Sequence, residues 1–122
     1  MGFLEFLCRK YGVDRNHLFI EYSSKPPLPV RGSRPGYYDG LLSYREKGGH
    51  VEFLITVFRV ARDPLLTLGH EFAHLVADLK TGKIDKPLGP PDDVLEMKFD
   101  DQARGDLNKF LTQKKIDRSE RA

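Results

Sequence analysis

Apolar residues recur at helical spacing from the start of the chain. Phe3, Phe6, Leu7 and Tyr11 share one side of a helix over 3–11, and Gly12 supplies a stop. Residues 18–22 read as a short strand. Over 23–36, four prolines, two glycines and three basic residues break any period, so this stretch reads as a loop. Residues 37–46 and 50–57 read as two strands joined by Lys47-Gly48-Gly49, a hairpin signal, and the second is rich in β-branched and aromatic side chains. Asp63-Pro64 then opens a helix, with Asp as N-cap and Pro in the first position. Its pattern runs to Lys80 or Thr81 and ends at Gly82. After a Pro/Gly-rich connector over 83–91, a last helix is predicted from near Asp92 to about Lys114, followed by a frayed tail. This order predicts an α+β domain with a small, mainly antiparallel twisted sheet of about three strands.

Composition narrows the class. A chain of 122 residues with 39% apolar and 31% charged residues suits one globular domain, 1–122. Twenty Lys+Arg against eighteen Asp+Glu gives a net charge of +2, which argues against a dedicated nucleic-acid binder. Cys8 is the only cysteine, so no intramolecular disulfide is available, and its place in an apolar helix reads as core. No apolar run approaches the ~20 residues of a membrane span. The first eight residues are mainly apolar, but Glu5 interrupts them and Arg9 and Lys10 follow them, where a signal peptide would place basic residues first. The expected location is therefore the cytoplasm.

The chemistry lies in the helix that opens at Pro64. His70-Glu71-Phe72-Ala73-His74 is a His-Glu-x-x-His pattern. At about 100° per residue, the two histidines stand about 40° apart and one turn above the other, so both imidazoles can converge on one tetrahedral Zn²⁺. Glu71 sits about 100° from His70, beside such an ion, where it can take a proton from an attacking water. Leu65, Leu68, Phe72, Leu75, Val76 and Leu79 cluster on the other side and form the stripe expected to pack on the sheet. Ala73 and Ala77 flank the histidines and leave room for a second helix or a substrate. His17 and His50 read as structural or exposed.

A third ligand is required. One zincin class places Gly three residues and His six residues after the second histidine, but Ala77 and Lys80 stand there. Asp78, one turn beyond His74, is one candidate. Glu96, 22 residues after His74 in the last helix, is the better one and leaves a fourth position for water. Asp100 shares the face of Glu96 and is placed to accept the outer N–H of a liganding histidine. The rival reading makes Asp93 and Glu96 a capping box, with Glu96 merely satisfying the helix start.

Thr67-Leu-Gly-His-Glu-Phe-Ala-His-Leu-Val76, followed by Glu96-Met-Lys-Phe-Asp100-Asp-Gln-Ala103, resembles the gluzincin zinc metallopeptidases, above all the minigluzincin group. The ImmA/IrrE-type metallopeptidases are similar in the same two stretches. The resemblance implies a metallopeptidase, active or latent, that acts on peptide or protein substrates. His70, His74 and Glu96 would hold one Zn²⁺, and Glu71 would act as general base and acid. It also implies an antiparallel strand bordering the cleft before the active-site helix, a role that falls to residues 50–57, with substrate adding to the edge as an extra strand. Gluzincins often supply a downstream His or Tyr to the oxyanion, but none follows His74, which leaves Tyr37, Tyr38 and Tyr44 as upstream candidates. Residues 104–122 are a candidate inhibitory plug over the cleft. The alternatives are a zinc-binding, non-hydrolytic domain and a regulatory, transcription-associated module. The loop residues Lys25, Arg31 and Arg34 are the support for the latter.

Overall fold

The structure, a computed structural model, describes residues 2–24, 39–59, 61–82 and 93–121, without the side chains of Asp93 and 117–121. The elements are α1 (Phe3–Tyr11), a 3-10 turn (Arg15–His17), β1 (Leu18–Ser23), β2 (Gly40–Lys47), β3 (His50–Phe58), α2 (Pro64–Thr81) and α3 (Asp93–Arg121). Helices and a three-stranded sheet make this an α+β arrangement. The connector over 83–91, Tyr37, Tyr38 and the basic loop residues Lys25, Arg31 and Arg34 lie outside the described residues.

The hairpin follows from its glycines. Gly48 and Gly49 have φ of 57° and 79°, the two left-handed residues that a tight two-residue hairpin turn needs. β2 and β3 therefore pair antiparallel, from Lys47↔His50 to Gly40↔Val57. β1 takes the other side of β3, and there the pairing is parallel, from Leu18↔Phe53 to Ser23↔Phe58. The sheet is thus mixed, with order β1-β3-β2, rather than mainly antiparallel. Alternation of apolar residues specifies which face of a strand is buried but not the direction of its neighbour.

Phe53, Ile55 and Val57 of β3, with Leu18 of β1, form the sheet's contribution to the core. α2 packs on β2 and β3, α3 packs on α2, and α1 packs on both helices. α2 is consequently covered on two sides. Leu68, Phe72, Leu75 and Val76 join the core, as their spacing predicts. Leu65 and Leu79 of the predicted stripe are instead 38% and 43% exposed, because they stand at the ends of the packed stretch. Toward α3, α2 presents a small residue at Gly69 beside its histidines. Gly69 lies so near Ala103 that a Cβ on it would stand 3.1 Å from the Ala103 Cβ.

Local chemistry sets the ends of α2. The Asp63 carboxylate accepts the Leu66 N–H at 3.1 Å, and Gly82 closes the helix with φ 68°. α1 is tied to α3 through the buried Asp106, which accepts from Lys10 Nζ and, at 2.6 Å, from the Tyr11 hydroxyl. Gln102 donates to the same hydroxyl at 3.2 Å. Phe3 and Phe110 stack beside this network with ring centroids 5.3 Å apart, and Cys8 is buried in the core.

α3 continues as one helix to Arg121 instead of ending near Lys114 with a frayed tail after Ile116, and all described side chains from Leu111 to Ile116 are exposed. At about 1.5 Å per residue its end lies about 37 Å from Glu96 along the axis. The tail thus runs away from the histidines and does not fold over them as a plug. Among the described residues, no helix is long and apolar enough to cross a membrane.

Candidate metal centre

The site forms where three elements meet. α2 supplies His70, Glu71 and His74; α3 supplies Glu96, Phe99 and Asp100; β2 lies against Glu71 through Gly40. The one-turn spacing on α2 brings the imidazoles together, with His70 Nε2 and His74 Nε2 3.2 Å apart. α3 then delivers a carboxylate to both rings. Glu96 Oε2 is 2.5 Å from His70 Nε2, and Glu96 Oε1 is 3.2 Å from His74 Nε2. Two ligands each about 2.05 Å from a tetrahedral cation stand ~3.3 Å apart, so the Nε2–Nε2 separation has the spacing of two ligands to one ion.

The ring orientations agree with that geometry. His70 donates its Nδ1–H to Asp100 Oδ1 at 2.6 Å, which turns Nε2 toward His74 and Glu96. Phe99, buried at 4% exposure, closes the α3 side. Its ring lies edge-on to His70 at 6.2 Å and 4.3 Å from the centroid of His74. The sequence reading missed Phe99, although its position between Glu96 and Asp100 on one helix face was a usable signal.

Charge is strongly coupled here. Burial opposes protonation of His70, but the Glu96 hydrogen bond, the field of Glu71 and Glu96, and Asp100 outweigh it and raise its pKa to about 9. Burial also opposes ionisation of Glu96, yet the hydrogen bonds from His70 and His74 bring its pKa down to about 2. Glu71 goes the other way. Burial between α2 and β2 pushes its carboxyl above the ordinary value, against the pull of His74 and His70.

Other candidate residues fall elsewhere. His70, Glu71 and His74 each offer a ligand atom within 4.8 Å of the others; among the described residues neither Glu96 nor Asp78 belongs to that group, and Glu96 is tied to the site by its contacts with the two imidazoles. The main-chain carbonyl of Asp78 accepts the Gly82 N–H at 2.9 Å near the helix end. His17 and His50 stack on each other at 5.3 Å, at the opposite end of β3 from Gly40. Tyr44 packs edge-on against Phe53. The strand expected to border the cleft, residues 50–57, is instead the central strand, because hydrogen-bonded neighbours occupy both of its sides. β2 is the strand at the site, and its far side is the open edge among the described residues.

No family model, no curated protein and no solved structure matches this chain.

Proposed function

We propose that this chain is a zinc-dependent metallopeptidase of the gluzincin type. His70, His74 and Glu96 hold one Zn²⁺, Glu71 moves protons, and Asp100 orients His70. The observation that supports this reading is the convergence of two ring nitrogens and the Glu96 Oε2 atom, from two helices, at 2.5–3.4 Å from one another. A capping role for Glu96 would not require its carboxylate to reach both imidazoles.

Zinc, when bound, supplies a Lewis acid for a peptide carbonyl and a water that ionises near neutral pH. Glu71 takes a proton from the attacking water and returns it to the leaving amine nitrogen. Asp100 holds His70 by its Nδ1–H and so keeps Nε2 directed at the centre. Phe99 keeps water from the imidazole faces. An extended substrate backbone would add to the open edge of β2, beside Glu71.

Elemental analysis of wild type and Glu96→Ala, dialysed identically against buffer with trace zinc, tests the ligand set. We expect about one zinc per chain in wild type and far less in the variant. Full retention by the variant removes Glu96 from the ligands, and an empty wild type removes the zinc reading altogether. Zinc-loaded wild type is then offered unfolded casein. Cleavage is the expected result, and bound zinc without cleavage points to the non-hydrolytic alternative.

A further inference from the structure

The first residue of β2 lies directly against Glu71. The Phe58 N–H donates to the Asp39 carbonyl at 2.9 Å, so 39/58 is a hydrogen-bonded pair of the ladder. Gly40, opposite Val57, is then at a position whose own N–H and C=O turn toward the open edge. The face of residue 40 is shared by Leu42 and Tyr44, which pack against the core under α2. A Cβ at Gly40 would meet Thr67 Cγ2 at 2.7 Å, the Thr56 carbonyl oxygen at 3.0 Å and Glu71 Cγ at 3.2 Å.

Backbone conformation does not call for glycine here. Gly40 is not among the residues with positive φ, so an L residue would adopt its dihedrals without strain. What the position demands is the missing side chain. The three neighbours differ in how far they can yield. The Thr56 carbonyl belongs to the central strand, and Thr67 is a buried β-branched residue on a helix, stiff about χ1. Glu71 has the freest torsions of the three, so its own 3.2 Å contact is relieved by turning its side chain away, while the closer contacts with Thr67 and the Thr56 carbonyl are relieved only by β2 moving off α2, which also withdraws the strand that holds Glu71.

We propose that Gly40 is a positioning residue for the general base: its lack of a side chain lets β2 close on α2 and fixes the Glu71 carboxylate beside the histidines. This rests on the metallopeptidase reading above.

The test is Gly40→Ala in the zinc-loaded protein, compared with wild type in zinc content, in kcat and KM on an unfolded casein peptide, and in the position of Glu71 in crystal structures. We expect unchanged zinc, KM within about threefold, kcat lower by about tenfold or more, and a displaced Glu71. A wild-type kcat overturns the inference, and so does a rise in KM alone, which would assign Gly40 to the strand edge rather than to Glu71. Should Gly40→Ala not fold, Gly40→Ala/Thr67→Ser removes the methyl group of the tightest contact and keeps the contact with Glu71. The same kinetic results then decide. Should wild type cleave nothing, the peptidase reading fails separately. Gly40 is then judged by the crystal comparison, where a displaced Glu71 supports the inference and an unmoved one overturns it.

Discussion

His70 is held between two carboxylates, and this gives the metal-free protein a pH dependence with a definite sign. Its pKa rises from 6.5 to about 9, so its contribution to stability is complete below pH 6.5 and is lost as pH climbs through about 9. Glu96 falls from 4.5 to about 2, so its contribution is complete above pH 4.5 and is lost as pH drops toward 2. From these two groups, urea unfolding with EDTA present is expected to show stability falling as pH climbs from 6.5 toward 9 and as it drops below 4.5, and the raised Glu71 carboxyl adds to the loss on the alkaline side. A flat profile above pH 6.5 would contradict the clamp on His70. Glu71 carries the complementary prediction. Glu71→Gln is expected to keep its zinc, since the proposed ligands are His70, His74 and Glu96, and to lose about 10²- to 10⁴-fold in kcat. A metal-loaded variant with normal turnover would remove Glu71 from the proton transfers.

At the scale of elements, the site depends on the distance between α2 and α3. Those helices meet where Gly69 faces Ala103, and Glu96 lies two turns from that contact. Gly69→Ala places a methyl group 3.1 Å from the Ala103 Cβ and 3.3 Å from the Phe3 ring. Overpacking of this kind costs about 1–3 kcal/mol and spreads the helices. We expect a weaker zinc affinity, by about tenfold, measured by competition with a chromogenic chelator. An unchanged affinity would mean that α3 is held by other contacts, such as the Lys10–Tyr11–Asp106 network that ties it to α1. The same scale shows what was legible beforehand. Asp63-Pro64, Gly82 and Gly48-Gly49 mark their elements because caps and turns are local chemistry. The parallel pairing of β1 and the central place of β3 were not legible, since both depend on where distant segments dock.

At the scale of the whole molecule, the candidate ligands join elements far apart in sequence. Zinc would bridge α2 to α3 and would have no equivalent site in the unfolded chain. It is expected to stabilise the fold by about 2.7 kcal/mol at a hundredfold excess over its Kd. EDTA is expected to reverse this. Thermal unfolding with and without zinc checks both, and a midpoint indifferent to zinc would place the ion outside the folded core.

The sequence by itself determined the helix that carries His70, Glu71 and His74, its caps, the hairpin and the α+β order. Each follows from residues within a few positions of one another, where spacing and backbone preference act directly. It also nominated Glu96 as a third ligand beside His70 and His74, and Asp100 as the partner of one of those histidines, from a shared helix face alone. Only the tertiary structure brought the Glu96 carboxylate to both imidazoles and Asp100 to His70 Nδ1. It alone set Phe99 against the two rings, made β2 rather than β3 the strand beside Glu71, and gave Gly40 its reason for being glycine. These are contacts across 22 or more residues, fixed by how closely small side chains let α2, α3 and β2 approach, and no local pattern records such distances.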